Sequence, residues 1–296
     1  MPTIAIVGPG AIGSVMAVWL GQTGRHEVTL CARRTVSELL VETPQGPLRL
    51  RPTVITDPAA AKPVDWILVT TKANDTAGAA AWLPPLAANG APVAILQNGV
   101  EHVERFSPFM HPDRIVPVMV DCPAERSTPS RTRQRGPAKL VVPDTTRGRE
   151  FVSLFAGTAV DATTTTDFRS AIWRKLCINV AGVISALLEK PSGIMRDPQI
   201  GEVSLQLVRE CIAVGRAEGA VLDDSLAQTV LAAYRDAPPD SVNSLQADRT
   251  AGRPMEIDAR NGVILRLGRK HGIATPANQM AVALLEAMVR RPEAAR

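Results

Sequence analysis

The chain has 296 residues, which is long for one hydrophobic core, so two domains are expected. Hydrophobic residues make up 45% and charged residues 21%, as in an ordinary soluble globular protein. The net charge of +4 suits a protein that holds an anionic ligand, but it is too small to indicate a nucleic-acid partner.

The cysteines and the N-terminus predict a cytoplasmic protein. No two cysteines have C-x-x-C spacing, and the histidines show no ligand spacing with them, so we expect reduced thiols and no metal site. The opening residues lack the basic region and the apolar stretch of a signal peptide. No run reaches the length of a membrane span, and no membrane partner is expected. The four cysteines are Cys31, Cys122, Cys177 and Cys211.

A glycine-rich motif near the N-terminus predicts a dinucleotide site. An apolar strand, residues 3–7, leads into the motif, and a helical pattern follows from Ala11 to Gln22. In a G-x-G-x-x-G motif the first glycine permits the turn, the second lets a pyrophosphate approach the backbone, and the third lets the helix pack on the strand. The alternative is a Rossmann-like domain that has lost its ligand. The predicted cofactor-binding residues are Gly8, Pro9, Gly10, Ala11, Ile12 and Gly13.

The end of the second predicted strand, residues 27–31, favours NADP over NAD. An NAD enzyme places Asp or Glu there to bind the ribose 2′-hydroxyl, whereas this chain has Arg33 and Arg34. A guanidinium can clamp a 2′-phosphate with paired charged hydrogen bonds. We assign that contact to Arg33 and expect the other arginine to be solvated at the strand end, although the sequence alone leaves open which is which.

Two further polar residues follow buried strands. Lys72 comes after residues 64–71, and Asn98 comes after residues 92–96. Ligands of open α/β sheets lie beyond the carboxyl ends of the strands, so both residues are candidates to meet cofactor or substrate. The plainer alternatives are a lysine on a solvated loop and an Asn-Gly turn.

The alternation of strands and helices ends near residue 166. Before that point, the arginine-rich stretch 125–135 lacks the aromatic residues that nucleic-acid binding would need, and it is interpreted as a solvated loop or the lip of a hairpin. We therefore predict an α/β protein with a Rossmann-type parallel sheet domain in residues 1–166 and an all-α domain in residues 167–296.

In the helical half, a long apolar pattern begins at Asp167 and carries two polar residues, Lys175 and Asn179. They are four residues apart and therefore lie on one face of the helix. A pocket that holds an anion would satisfy both side chains. The alternative is that Lys175 belongs to an exposed first turn. Glu256 is expected in the first turn of a later helix, where a carboxylate would also complement the helix dipole.

These residues make the chain resemble the ketopantoate reductases, the 2-dehydropantoate 2-reductases, over its whole length. The resemblance is most specific in the helical half, in the Lys175/Asn179 pair and the stretch 254–258. The motifs that carry it are Gly8-Pro9-Gly10-Ala11-Ile12-Gly13, Lys72-Ala73, Gln97-Asn98-Gly99, Trp173-Arg174-Lys175-Leu176 with Asn179, Ser244 to Asp248, and Pro254-Met255-Glu256-Ile257-Asp258.

The resemblance implies an oxidoreductase that reduces a 2-oxo acid with NADPH, most directly ketopantoate to pantoate in pantothenate biosynthesis. It implies that Lys175 is the general acid and that Glu256 binds the substrate hydroxyl. Ser244 and Asn98 would hold carboxylate or carbonyl oxygens, and Asn179 would line the same pocket. Arg33 and Lys72 would contact the phosphate side of the cofactor.

Two departures from the family pattern leave the identity of the acid open. Val183 stands where the family often has a second asparagine, and Asp75 ends a Lys-Ala-Asn-Asp stretch that often reads Lys-Ala-Tyr-Gln. A pocket that loses a polar contact favours a more apolar substrate. The alternatives are therefore a reductase of another 2-oxo acid or of an imine, and a non-catalytic NADPH-binding sensor. The helical domain could also support a homodimer.

Overall fold

The computed structural model describes residues 1–289 and divides the chain into two compact units. The division falls between Phe168 and Arg169, two residues beyond the boundary that the composition suggests. Each unit has its own buried core.

The first unit is an α/β unit in which the strands follow the predicted order closely. Its helices are α1 Ala11–Gln22, α2 Thr76–Ala80, α3 Leu83–Leu86, α4 His102–Phe106 and α5 Thr146–Leu154. Its strands are β1 Thr3–Val7, β2 Glu27–Cys31, β3 Leu39–Thr43, β4 Gly46–Leu50, β5 Thr53–Ile55, β6 Trp66–Val69, β7 Val93–Ile95, β8 Ile115–Pro117, β9 Met119–Asp121, β10 Ala124–Thr128, β11 Arg131–Gln134, β12 Ala138–Pro143 and β13 Val160–Thr165.

A six-stranded parallel sheet of order β5-β2-β1-β6-β7-β8 forms the centre of this unit. Its strands are apolar on both faces because both faces are covered. In β1, Ile4 and Ile6 enter one hydrophobic cluster, while Ala5 and Val7 enter another on the opposite face. The chain runs outward from β1 to β5 and then returns to β6, so the strand order reverses between β1 and β6. This is the point at which open α/β sheets bind ligands.

Two smaller sheets complete the first unit, with orders β10-β11-β3-β4 and β13-β12-β9. The apolar run of residues 115–120 predicts one further strand, and that prediction is wrong. It divides at the buried Val118, because β8 ends the parallel sheet while β9 pairs antiparallel with β12. The arginine-rich stretch forms the hairpin of β10 and β11, whose inward-facing Thr132 and Gln134 are buried.

The sequence predicts a helix from about Thr76 to Leu83 that Pro84 and Pro85 stop, and that prediction is wrong. Both lie inside α3, at the beginning of the helix. The first turn of a helix has amide groups without an intrahelical partner, so a proline there loses no hydrogen bond.

The second unit is helical throughout its described part. Its α-helices are α6 Phe168–Ala181, α7 Val183–Leu188, α8 Pro198–Ala217, α9 Leu226–Asp236, α10 Ser244–Thr250, α11 Val263–His271 and α12 Pro276–Val289.

The helix predicted from Asp167 onward is present, but it is interrupted at Gly182, between α6 and α7. The run Phe168–Leu188 has 21 residues, and its most apolar window has a mean hydropathy of 1.5, enough by length and composition to cross a bilayer. The expectation that no run reaches that length is therefore wrong. Because 61% of its most apolar window is buried inside the unit, we interpret it as a core helix.

A π-helical turn at Asp258–Gly262 precedes α11, and Glu256 lies just before it rather than in the first turn of an α-helix. The Asn261 amide anchors this turn by donating to the Val180 carbonyl at 3.2 Å and to the Asn278 side chain at 2.9 Å. Both asparagines are fully buried. The π-turn is therefore fixed against α6 and α12, and π-turns of this kind are frequent at functional sites.

Candidate active site

The glycine motif forms a tight loop between β1 and α1. Gly8 has a φ of +79°, and a Cβ there would lie 2.3 Å from the Thr71 side chain. The Thr70 hydroxyl donates to the Gly8 carbonyl at 2.8 Å, and the Gly10 amide donates to the same oxygen at 2.6 Å. Glycine at position 8 is thus required by the protein itself, since an L side chain would be both strained and blocked.

Gly10 differs, because a Cβ there would meet no protein atom nearer than 3.9 Å. Gly10 is also the N-cap of α1, and no side chain caps this helix. The first amides of α1 therefore border open space at the positive end of the helix dipole. This arrangement fits the pyrophosphate of a dinucleotide, with the loop Gly8–Gly13 as its cradle.

The other predicted cofactor residues follow the neighbouring strands of the sheet. Arg33 and Arg34 follow β2, Lys72 follows β6 and Asn98 follows β7. These strands flank β1 in the order β2-β1-β6-β7, so all four residues lie on the edge that carries the glycine loop. Both arginines are exposed, and neither makes a hydrogen bond or salt bridge within residues 1–289.

The loops after β6 and β7 are joined to each other. The Gln97 amide donates to the Thr71 hydroxyl at 2.9 Å and to the Lys72 carbonyl at 3.2 Å. The His102 ring forms a hydrogen bond through Nε2 to the Gln97 carbonyl at 2.8 Å. Burial lowers the pKa of His102 to about 4, so this ring is neutral at pH 7 and serves as a support. Asp75 lies on the exposed surface beyond Lys72.

One residue beside the glycine loop was not found from the sequence. Arg126, on β10, donates from Nη1 to the Pro9 carbonyl at 3.1 Å. The sequence predicts a solvated loop or the lip of a hairpin at residues 125–135, and only the packing of β10 against α1 brings this cation to the glycine loop. No short-range pattern indicates such a contact.

In the second unit, Lys175 and Asn179 lie one turn apart on α6, and both are half-buried. Ser244 is the first residue of α10 and is exposed, whereas Glu256 is only 6% exposed. Arg260, in the π-turn, joins these elements. It donates to the Ser244 hydroxyl at 3.4 Å and to the Asn179 carbonyl.

The position of Ser244 is set by Asn243. The Asn243 carboxamide oxygen caps α10 by accepting from the amides of Leu245 and Gln246 at 3.0 and 3.1 Å. Its nitrogen donates to the Gly182 carbonyl at 3.0 Å. The start of α10 is therefore held against the break between α6 and α7. Val183 follows this break and is fully buried, so its side chain belongs to the core of the unit.

Arg260 and Asn243 are the residues of this cluster that sequence reasoning missed. Asn243 immediately precedes α10, and an asparagine at that place is a recognisable N-cap signal. Arg260 gives a weaker signal, a charge at a core position of an otherwise amphipathic segment. Its burial depends on groups 16 and 81 residues away in the chain.

Comparisons with known proteins match both halves of the chain. The family description "Ketopantoate reductase PanE/ApbA" matches residues 4–147, and its C-terminal counterpart matches residues 167–289. A 2-dehydropantoate 2-reductase from Caulobacter vibrioides is 52% identical over 287 residues, which cover 97% of this chain and 99% of that protein.

Solved structures give the same result. A PanE/ApbA family ketopantoate reductase from Ralstonia eutropha superposes with a TM-score of 0.88 at 32% identity, covering 97% of this chain and 98% of its own. A dimeric ketopantoate reductase from Staphylococcus aureus superposes with a TM-score of 0.87 at 25% identity, covering 96% and 98%. The chain therefore belongs to the ketopantoate reductase family, the NADPH-dependent oxidoreductases that reduce 2-dehydropantoate to pantoate.

Proposed function

We propose that this chain reduces 2-dehydropantoate to pantoate, with residues 1–166 binding NADPH and the helical region from residue 167 onward supplying the proton donor and the acid-binding side chains. The observation that carries this proposal is the cluster in the second unit. A buried arginine there holds the Asn179 carbonyl and the Ser244 hydroxyl together, with Glu256 within range of its charge.

The proposed role of Lys175 is that of general acid. NADPH, when bound, supplies a hydride to the carbonyl carbon of the substrate. Negative charge then develops on the carbonyl oxygen, and a positioned ammonium both stabilises that charge and supplies the proton. Lys175 lies one turn from Asn179, whose amide would line the same pocket.

The remaining assignments follow from the chemistry of the groups. Ser244 and Asn98 can donate hydrogen bonds to carboxylate or carbonyl oxygens, and Glu256 can accept one from the substrate hydroxyl. Arg33 and Lys72 carry the positive charge that the phosphates of NADPH need, and the loop Gly8, Pro9, Gly10, Ala11, Ile12 and Gly13 supplies backbone amides. A sensor would have no need of a proton donor.

The test is an assay of NADPH oxidation by the purified protein, with ketopantoate and with a panel of other 2-oxo acids as substrates. NADH replaces NADPH in the control reactions. Rapid oxidation of NADPH with ketopantoate is the expected result. Activity confined to another acid would contradict the substrate assignment, and the variants Val183→Asn and Asp75→Gln would then be made. NADPH binding without turnover of any acid would contradict the enzymatic assignment and favour a sensor.

A second copy of this chain is the proposed partner in solution. The helices α7, α8 and α12 form an open apolar groove on the second unit, and a structure of the dimeric S. aureus relative shares this fold. Four residues of the groove are 40–52% exposed although they are apolar: Leu188, Val203, Leu284 and Met288. The groove is lined by Ile184, Leu187, Leu188, Ile200, Val203, Leu284, Ala287 and Met288.

Sedimentation of the wild type and of Leu284→Glu tests the dimer. We expect a dimer for the wild type and a monomer for the variant, because a charge in a buried apolar contact is costly. A wild-type monomer at high concentration would contradict the proposal.

The four free thiols of the chain further support a reducing, cytoplasmic location.

A further inference from the structure

We propose that Arg260 is a positioning residue for the carboxylate of the substrate and that it acts through the hydroxyl of Ser244. This inference rests on the proposed function, since it assumes that Ser244 binds an anionic oxygen of a 2-oxo acid. It adds a residue to the site that neither the motif pattern nor the chemistry of the reaction requires.

The first observation is the burial of an unusual charge. Arg260 is 2% exposed, and it forms no salt bridge with any residue in the described part of the chain. Burial lowers the pKa of its guanidinium, while the charges of Glu256 and Asp248 act in the opposite direction. A buried cation without a paired anion is costly, and such a cost is offset when an anion binds close by.

The second observation is the direction of the hydrogen bonds. A guanidinium only donates, so the bond from Arg260 Nη1 to the Ser244 oxygen uses a lone pair of that oxygen. The Ser244 hydroxyl donates to no group within residues 1–289. Its hydrogen therefore stays available, and the neighbouring cation polarises the hydroxyl into a stronger donor. A hydroxyl held in this way suits a carboxylate and is poorly suited to a group that donates.

The third observation is the space in which the guanidinium lies. A Cβ at Gly182 would lie 3.0 Å from Arg260 Nη2 and 2.8 Å from the Tyr234 hydroxyl. The glycine between α6 and α7 thus makes room for the arginine. The Arg260 Nε–H is buried and has no partner within residues 1–289, so the guanidinium keeps an unused donor in addition to its charge.

The experiment is a double-mutant cycle on KM for ketopantoate and on the dissociation constant of pantoate. The variants are Arg260→Met, Ser244→Ala and their combination. Arg260→Lys retains the cation, and Arg269→Met, an exposed arginine further along the same helical segment, is the matched control. Thermal unfolding of every variant reports its fold.

We expect Arg260→Met to raise KM and the pantoate dissociation constant about tenfold or more, with kcat within about threefold of the wild type. Ser244→Ala raises KM as well, and the combined variant is no worse than Arg260→Met alone, because the arginine acts through the serine. Arg260→Lys recovers part of the loss, and Arg269→Met behaves as the wild type.

Three results would overturn the proposal: an unchanged KM in Arg260→Met, effects that multiply in the combined variant, or a loss confined to kcat. If Arg260→Met does not fold, Gly182→Ala displaces the guanidinium and keeps its charge. Its KM must then rise, and the increase must vanish in the Ser244→Ala background. Failure of the proposed function looks different, because the wild type would then not turn over ketopantoate at all. If the wild type is active and Ser244→Ala leaves KM unchanged, the assignment of Ser244 and the role of Arg260 are both wrong.

Discussion

The two units build their functional sites from different materials. In the first unit the predicted site is backbone: a glycine loop, an uncapped helix start and the ends of four neighbouring strands. In the second unit it consists of side chains from α6, α10 and the segment around the π-turn, held together by Arg260. A cofactor with a fixed pyrophosphate can be recognised by amides, whereas a small acid with three kinds of oxygen needs distinct side chains.

This contrast predicts opposite sensitivities. The first unit should fail when atoms are added to the backbone, and the second when functional groups are removed from side chains. Each prediction below tests one side of the comparison.

The largest effect is expected at Lys175. Lys175→Ala should lower kcat by roughly 10²–10⁴-fold, because the proton donor and the charge that faces the developing oxyanion are both lost. The NADPH dissociation constant should stay within about twofold of the wild type, since the proposed cofactor site belongs to the first unit. Steady-state kinetics and fluorescence titration measure the two quantities.

Lys190→Ala is the matched control for this variant, since Lys190 is an exposed lysine of the same unit. It should leave both quantities unchanged. Wild-type turnover by Lys175→Ala would exclude Lys175 as the acid, and a loss of NADPH affinity would contradict the division of labour between the units.

The free energy of unfolding should decrease at acid pH because of His102, which supports the loops after β6 and β7. His102 is buried, and burial lowers its pKa from 6.5 to about 4, so the unfolded chain binds a proton below about pH 6.5 while the folded chain does not. Stability therefore falls as the pH falls from about 6.5 to 4, by up to roughly 3 kcal/mol from this group. Urea unfolding of His102→Gln should show a shallower loss over that range. The exposed His111→Gln should follow the wild type, and equal slopes for all three proteins would contradict this account of His102.

Substitutions at Gly8 and Gly10 should affect different quantities, the stability of the fold and the affinity for NADPH. Gly8→Ala should destabilise the protein by about 1–3 kcal/mol, because its positive φ is strained and its Cβ overlaps the Thr71 side chain. Gly10→Ala has room in the protein and should melt near the wild type, yet it should weaken NADPH binding about tenfold. Thermal unfolding and titration with NADPH distinguish the two variants. Normal affinity in a folded Gly10→Ala would contradict the assignment of the loop as the pyrophosphate site.

The same contrast explains how much could be predicted from the sequence. The bounds of β1, α1 and β2 match the expectation residue for residue, because a strand, a tight turn and an apolar helix are set by neighbours in the chain. The division of residues 115–120 between two sheets was missed, since it depends on pairing with the distant β12.

The sites divide in the same way. Residues at strand ends, such as Lys72 and Asn98, could be placed from the alternation of strands and helices alone. Arg126 and Arg260 could not, because each reaches its contact across the fold, over 117 residues to Pro9 in one case and 81 residues to Asn179 in the other. A charged side chain far from its partner gives no periodic signal, and only packing decides whether it is solvated or built into a site.

The smallest effect is expected at the end of β2, where side chains and not amides discriminate within the first unit. Arg33→Ala should raise the NADPH dissociation constant about tenfold, the loss of one or two charge-assisted hydrogen bonds to the 2′-phosphate. NADH lacks that phosphate, so its affinity should not change, and the preference for NADPH should fall by the same factor. Arg34→Ala is the matched control, since Arg34 is equally exposed and adjacent in the chain. If Arg34→Ala loses the preference and Arg33→Ala keeps it, the two arginines exchange roles and the side-chain mechanism stands. If the double variant still prefers NADPH, recognition of the 2′-phosphate depends on another part of the first unit, and the cofactor site is more completely a backbone site than the arginine pair suggests.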